Sequence, residues 1–235
     1  MAVPDAQTIT EWSVEARIAL SMKVAEAGVQ ALLPAGWISD PSTGAANRGA
    51  NLTVTFMERL LVLDGQGQTR RTGSIRYLVM SAPVRNTASG QAATMIVSGV
   101  SPEGPGAYDV YQTATEATVE RSATSSMEEA GSAEERWRLA TMRGDRLTLT
   151  ARYRRAAPVR AQVTSVLRSA AHPEFTRTYR IDQATDVLRS VTTPDRIEAL
   201  SFNVSGPTFA RLFDGTEQIL SVTSIPYYTR QISVP

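Results

Sequence analysis

The amino-acid sequence predicts a mostly β fold of the α+β class, in which antiparallel strands form one curled or closed sheet accompanied by two short helices. Alternation of apolar and polar residues recurs along most of the 235 residues, as expected for strands with one buried face. Short turn sequences, rather than helical crossovers, separate the alternating segments, which favours antiparallel pairing. No composition change marks an interdomain linker, so we expect residues 1–235 to form a single domain.

The elements at the start of the chain are predicted from changes in the spacing of apolar residues. Apolar residues occupy alternate positions through most of residues 13–24, which predicts a strand. Apolar residues within 25–33 recur with helical spacing and predict a short helix. Pro34 and Gly36 end this helix, because proline cannot continue it and glycine accepts a left-handed turn. The composition of residues 39–50 predicts a loop.

The remaining strands are predicted from the same alternation. They cover residues 51–63, 73–84, 93–100, 108–121, 134–142, 146–154, 160–168, 175–182, 186–192, 197–204 and 217–232. The dipeptides at 64–65 (Asp-Gly) and 144–145 (Gly-Asp) mark turns between strands. A second helix is expected at residues 207–213, since proline is tolerated in a first helical turn. The polar composition of residues 124–134 predicts a mobile loop.

Composition excludes several classes of function. The formal net charge is +1, so no bulk field would attract nucleic acid or an anionic membrane. The chain has no cysteine and a single histidine, His172, so we expect neither a metal site nor another cofactor. No apolar run approaches the ~18 residues of a membrane span, and residues 1–12 lack the pattern of a secretory signal. We therefore expect a cytoplasmic protein with no nucleic-acid or membrane partner.

Two segments of the chain are similar to a known family. Residues 25–37 (AEAGVQALLPAGW) join a strand to a short helix that ends in Leu-Leu-Pro-x-Gly, and residues 205–235 (SGPTFARLFDGTEQILSVTSIPYYTRQISVP) form the end of the chain. Both resemble the acetoacetate decarboxylase-like superfamily, and together they cover about a fifth of the sequence. The resemblance implies a curled antiparallel β-barrel or cone with a cavity for a small-molecule substrate, often within a homo-oligomer.

The chain departs from this family at the residue that carries its chemistry. Family decarboxylases have a Schiff-base lysine beside a second lysine, after a glutamate-rich helical stretch that ends in Pro-Lys-Lys. The corresponding residues here, 109–121 (DVYQTATEATVER), contain no lysine or proline and alternate like a strand. Lys23 is the only lysine among 24 basic residues, and arginine cannot form an imine because it stays protonated. The resemblance therefore implies the fold and cavity without imine-forming decarboxylation.

Glu58 is a charged residue on an otherwise apolar strand face. Between Leu52 and Val62 every second residue is apolar except Glu58. A buried carboxylate is costly unless it gains a partner or becomes neutral. Arg76, on a mostly apolar face of the next predicted strand, is the expected partner. Such a pair could act as base and anion anchor. The alternatives are a structural ion pair or a face assignment shifted by a β-bulge.

Three further residues are candidates for substrate binding. Tyr111 and Glu120 lie in the segment that corresponds to the family's catalytic helix, so they could form hydrogen bonds to a ligand there. The alternative is a solvated strand face. Trp137 alternates with apolar neighbours and is either a core aromatic or a wall of the cavity. His172 precedes a proline in a loop-like stretch and is most simply a surface residue.

These observations lead to one leading hypothesis and one alternative. We expect an enzyme of lyase or hydrolase type that acts on a small, partly apolar carbonyl or carboxylate compound by acid/base catalysis, without a metal or a Schiff base. In this hypothesis Glu58 is the general acid/base, and Arg76 holds the substrate carboxylate or developing negative charge. The alternative is a non-catalytic barrel that binds a small ligand. The sequence contains no phosphate-binding glycine loop and no G-x-S-x-G or His-Glu-x-x-His motif.

Overall fold

The computed structural model describes residues 8–70, 73–126 and 131–234, most of which are in β-strands. One α-helix, α1 (Glu26–Gln30), and one 3₁₀ turn (Ala45–Asn47) interrupt them. The strands are β1 (Thr8–Lys23), β2 (Trp37–Ser39), β3 (Leu52–Asp64), β4 (Ile75–Asn86), β5 (Ala92–Ser101), β6 (Tyr111–Thr124), β7 (Ser132–Thr141), β8 (Arg146–Arg154), β9 (Val159–Ser169), β10 (Thr176–Arg189), β11 (Ile197–Ser205) and β12 (Gln218–Val234). No helix among the described residues is long and apolar enough to cross a bilayer.

Seven strands form a closed circuit, which confirms the predicted curled sheet. Their order is β5-β9-β10-β12-β1-β3-β4, and β4 pairs back onto β5. At its end β5 also pairs with β6, which begins a four-stranded antiparallel sheet in the order β6-β7-β8-β11. Most pairings are antiparallel, as the sequence predicts, and the exceptions are the parallel pairings of β5 with β6 and with β9. Between β5 and β6 the chain turns back through Gly104, Gly106 and Asp109, which all have positive φ.

The two faces of the closed circuit of strands carry different sets of buried side chains. One face packs against the four-stranded sheet and forms the main core. Its deeply buried members include Ile18, Leu20, Val54, Phe56, Leu78, Met80, Trp137, Leu139, Leu147 and Leu149. Each such side chain contributes about 1.5–3 kcal/mol through burial. The opposite face carries a smaller apolar cluster around Ile96, Tyr179 and Ile232 and, beside it, a polar cavity.

A β-bulge shifts the side-chain pattern of β3. The register between β1 and β3 changes between Val14 and Glu15, whose partners are Leu61 and Arg59, so Leu60 is left without a partner. The side chain of Leu60 is accordingly 51% exposed, although alternation had placed it on the apolar face. Arg59, two residues after Met57, lies before the bulge and is buried with Met57 on the face that bears the polar cavity.

Other differences from the predicted elements have local causes. The helix expected at 25–33 is present as α1, whereas residues 207–213 form consecutive turns rather than a second helix. Asp145 accepts hydrogen bonds from the backbone N–H and hydroxyl of Thr208, which fix this segment in a non-helical conformation. The strands predicted at 175–182 and 186–192 are one strand, β10, with an irregularity after Ala184.

Two predicted segments fall partly outside the described residues. Of the loop expected at 124–134, residues 127–130 are outside them, while Ser132 already begins β7. Of the N-terminal residues 1–12, only those from Thr8 onward are described, and they belong to β1.

Candidate functional site

A cavity of about 200 Å³, here called the polar chamber, lies on the second face of the circuit. Its lining residues come from β1, β3, β4, β10 and β12, from the start of β6, from the turn after β3 and from the segment between β5 and β6. They are Glu11, Met57, Arg59, Arg70, Tyr77, Val79, Glu103, Gly106, Ala107, Tyr108, Tyr111, Arg177, Tyr179 and Arg230. An open groove beside it shares Glu11, Arg59, Arg70 and Glu103.

Glu15 does not line the chamber but pairs with two arginines that do, Arg59 and Arg230. Its buried carboxylate accepts hydrogen bonds from Ser13 (2.7 Å) and from Nε of Arg17 (2.7 Å). Nε of Arg230 and Nε of Arg59 lie 3.1 and 3.5 Å from the same carboxylate. Burial by itself would raise the pKa of Glu15, but the three guanidinium charges outweigh it and lower the pKa to about 2. Glu15 is therefore ionised at neutral pH and holds the arginines in place.

Glu11 connects the same arginines to the mouth of the chamber. It accepts a short hydrogen bond from Arg59, and its carboxylate lies 3.4 Å from Arg70 and 3.8 Å from Arg230. Of the charged residues that line the chamber, four are arginines and two, Glu11 and Glu103, are acidic. The described lining thus carries an excess of two positive charges, which favours an anionic ligand.

Tyrosine hydroxyl groups supply hydrogen bonds in the chamber. The hydroxyl groups of Tyr108 and Tyr179 lie 2.6 Å apart, and Tyr77 donates a short hydrogen bond to Glu103. Burial and the neighbouring Glu103 raise the pKa of Tyr77 to about 12, and burial also raises the pKa of Tyr111. Tyr77 and Tyr111 therefore remain protonated at neutral pH; the proton of Tyr77 is donated to Glu103, whereas Tyr111 can donate to a substrate oxygen.

Two glycines position the ring of Tyr111 at the chamber. A Cβ on Gly99 would lie 2.7 Å from Cδ1 of this ring, and a Cβ on Gly106 would lie 2.8 Å from Cδ2. Only residues without side chains fit on both sides of it. The structure therefore places Tyr111, a predicted substrate-binding residue, in the chamber wall.

The structure pairs Glu58 with Arg76 outside the polar chamber. Nη2 of Arg76 lies 2.7 Å from Glu58, the Ser74 hydroxyl donates at 3.0 Å, and Arg121 of β6 adds a short hydrogen bond. Burial would raise the pKa of Glu58, but the hydrogen bonds from Arg121 and Ser74 and the charges of the two arginines lower it. A carboxylate stabilised in this way is a weak base, which favours the structural alternative for this pair.

Arg121 links Glu58 to a second buried carboxylate that the sequence did not indicate. Its Nε donates to Glu135 at 3.1 Å, and its guanidinium lies 4.8 Å from the ring centroid of Trp137. Trp137 is fully buried and donates from Nε1 to Glu135 at 3.0 Å, while Tyr153 donates to the other oxygen at 2.9 Å. Trp137 therefore belongs to the main core and this ion-pair network rather than to the polar chamber.

Glu120 lies apart from both groups. Its side chain is exposed and pairs with Arg138 on the neighbouring strand, with a nitrogen–oxygen distance of 3.0 Å. The only lysine, Lys23, is exposed at the end of β1, twelve residues from Glu11, a separation of about 40 Å along a strand. His172 is exposed as well and lies 3.3 Å from Asp109.

Glu58→Gln is expected to lower the free energy of unfolding by about 1–3 kcal/mol, because it weakens hydrogen bonds to two partly buried arginines. Ligand binding and turnover should change little, since Glu58 does not line the polar chamber. Urea unfolding together with an activity or binding assay checks this, with Glu120→Gln as the exposed control. Loss of turnover with unchanged stability would instead support the acid/base role for Glu58 and Arg76.

Comparison with known proteins identifies the fold. No protein-family model and no curated protein matches the sequence. An acetoacetate decarboxylase-like enzyme from Sphingomonas wittichii RW1 superposes with a TM-score of 0.54 at 10% identity, covering 100% of this chain and 96% of that one. The enduracididine biosynthesis enzyme MppR, in complex with the condensation product of pyruvate and imidazole 4-carboxaldehyde, gives a TM-score of 0.53 at 10% identity, covering 95% and 87%. The chain therefore has the acetoacetate decarboxylase-like fold, as its sequence predicts.

Proposed function

We propose that this protein of acetoacetate decarboxylase-like fold is an enzyme that acts on a small, partly apolar carbonyl or carboxylate compound bound in the polar chamber. The observation that carries the proposal is the lining of the chamber, where guanidinium groups are in excess and protonated phenols face the same space. Similarity to MppR, whose bound ligand derives from pyruvate, supports a carbonyl-acid substrate. The proposal includes the cytoplasmic location and homo-oligomeric state expected above.

The chemistry we propose is proton transfer without a Schiff base. Lys23 lies far from the chamber, so no lysine is positioned to form an imine. Glu103 and Tyr77, in hydrogen-bond contact at the chamber wall, are the proposed acid/base pair. Glu103 would accept a proton from the carbon next to the substrate carbonyl, and Arg59 would stabilise the negative charge that develops on the oxygen. This assigns to chamber residues the roles that the sequence hypothesis gave to Glu58 and Arg76.

A non-catalytic ligand-binding barrel is the second candidate. It is supported by the extensive pairing of the carboxylates around the chamber, since Glu11 and Glu15 are each bound by arginines. A carboxylate held in this way resists protonation and contributes to binding rather than to proton transfer.

Turnover of a panel of small 2-oxo and 3-oxo acids, followed by proton NMR, tests the proposed function. Glu103→Gln should lower kcat by at least about 100-fold, the usual loss on removing a general base. Lys23→Ala and the exposed control Glu120→Gln should keep wild-type rates. Abolished turnover in Lys23→Ala would establish an imine mechanism. Binding without turnover by the wild-type protein would establish the ligand-binding barrel.

A further inference from the structure

Among the residues that the structure describes, Arg177 is the arginine of the polar chamber that has no acidic partner. Its Nε is buried and has no hydrogen-bond partner among the described residues, and none of the described carboxylates forms an ion pair with it. The Nε of Arg59 also lacks a hydrogen-bond partner, but the guanidinium groups of Arg59 and Arg230 are both paired with Glu11 and Glu15, whereas that of Arg177 is not. A buried charged donor without an acceptor is costly, so its retention indicates that a ligand supplies the acceptor.

The cationic group opposite Arg177 lies at the mouth of the chamber. Arg177 is on β10, and in the circuit of seven strands β10 is separated from β3 by β12 and β1, and from β4 by β9 and β5. The strands β3 and β4 therefore form the wall across from β10. Arg59 lies on β3, and Arg70 lies in the turn between β3 and β4, with its side chain 53% exposed. Two guanidinium positions thus face each other across the chamber.

The size and charge of the chamber together define the ligand. The excess of two positive charges in its described lining matches a dianion, and a monocarboxylate would leave one charge uncompensated. A volume of about 200 Å³ corresponds to about seven water molecules at ~30 Å³ each, enough for a chain of about five carbons with a carboxylate at each end. A compact dianion such as phosphate would reach only one wall.

We propose that the ligand of the polar chamber is a dianion with two separated carboxylates. Arg177 binds one carboxylate, and Arg70, at the mouth of the opposite wall, binds the other, which leaves Arg59 for the carbonyl oxygen. Tyr108 and Tyr111, beside Arg177 in the same lining, offer protonated hydroxyl groups to the first carboxylate. This inference rests on the proposed function, because it takes the chamber as the substrate site.

Isothermal titration calorimetry with matched probes tests the inference. Glutarate supplies two separated carboxylates, monomethyl glutarate keeps the length with one charge, and inorganic phosphate is the compact dianion. Wild-type protein should bind glutarate at least about tenfold more tightly than the other two, because a charge-assisted hydrogen bond is worth about that factor. Arg177→Gln should abolish this preference, and Arg180→Gln, an exposed arginine on the same strand, should preserve it.

Every other outcome of the titrations contradicts one identified proposal, either the two-carboxylate ligand or the chamber as the binding site. Equal binding of glutarate and its monoester, unchanged in Arg177→Gln, would overturn the two-carboxylate inference and leave the chamber as a monoanion site. Phosphate binding as tight as glutarate would overturn it in favour of a compact dianion. Absence of binding by all three probes and by the oxo acids would overturn the chamber proposal itself. Thermal melting verifies that Arg177→Gln is folded, and Arg177→Lys, which keeps the charge, should retain part of the preference.

Discussion

Replacing Glu15 with glutamine is expected to destabilise the protein by about 3–5 kcal/mol, the usual cost of removing one partner from a buried ion-pair network. The carboxylate of Glu15 contacts Arg17, Arg59 and Arg230, and its side chain is fully buried. Without its charge the three guanidinium groups repel one another in a region of low dielectric constant. Glu11 alone cannot compensate them, since it pairs mainly with Arg59.

The effect of Glu15 depends on pH in a defined direction. Its pKa falls from 4.5 to about 2 in the folded protein, so the folded state binds this proton less readily than the unfolded state. The stabilisation is therefore complete above about pH 4.5 and is lost as the pH falls toward 2. A shift of this size corresponds to about 3 kcal/mol, in agreement with the cost expected from removing the charge.

Urea unfolding of the wild-type protein and of Glu15→Gln at pH 7, 4.5 and 3, followed by tryptophan fluorescence, measures this effect. The difference in unfolding free energy should be largest at pH 7 and shrink below pH 4.5. Glu120→Gln, which removes an exposed carboxylate of the same type, should change stability by less than about 0.5 kcal/mol. A difference for Glu15→Gln that does not vary with pH would show that the loss comes from packing and not from charge.

The same substitution connects the stability of the chamber to its binding properties. Arg59 and Arg230 line the chamber and are also the residues that Glu15 holds. Loss of the carboxylate would release their guanidinium groups, so Glu15→Gln should weaken ligand binding even under conditions where the protein remains folded. The fold and the binding site thus depend on one buried ion-pair network.

Local pattern was sufficient to predict most strands but not the branching of the sheet. The strand β8 was predicted with its observed bounds, 146–154, because Leu147, Leu149, Ala151 and Tyr153 alternate with polar residues and a Gly-Asp turn precedes them. The parallel pairings of β5 could not be predicted in this way. The pairing of β5 with β9 joins segments far apart in sequence, and the pairing of β5 with β6 depends on how residues 102–110 reverse the chain; alternation encodes neither.

The candidate site residues differ in the same way, since some could be predicted from local sequence and others depend on contacts between distant segments. The pairing of Glu58 with Arg76 could be predicted because their strands are consecutive and the carboxylate stands out on an apolar face. Glu11 and Glu15, in contrast, alternate with apolar residues like the solvent face of an ordinary strand. They are buried only because the circuit brings Arg59 and Arg230 against them, from positions 44 and 215 residues beyond Glu15.

Replacing Trp137 with alanine is expected to cost about 3–5 kcal/mol, the range for deleting a large aromatic side chain from a core. Trp137 is fully buried, and its ring centroid lies 5.6 Å from that of Phe56. The substitution would open a cavity in the main core and also remove the hydrogen bond to Glu135. Trp137→Phe should cost less, about 1–2 kcal/mol, because it fills most of the space and Glu135 keeps its hydrogen bonds from Arg121 and Tyr153.

The two Trp137 variants also decide between a core role and the predicted contact with substrate. If Trp137 is purely structural, Trp137→Phe should lower the urea midpoint and leave KM, or the dissociation constant of a chamber ligand, within about twofold of wild type. Trp12→Phe, at a tryptophan that is 45% exposed, provides the matched control and should change neither quantity. A tenfold rise in KM with unchanged stability would mean that a substrate reaches Trp137 through the Arg121 network. The catalytic site would then lie in the main core rather than in the polar chamber.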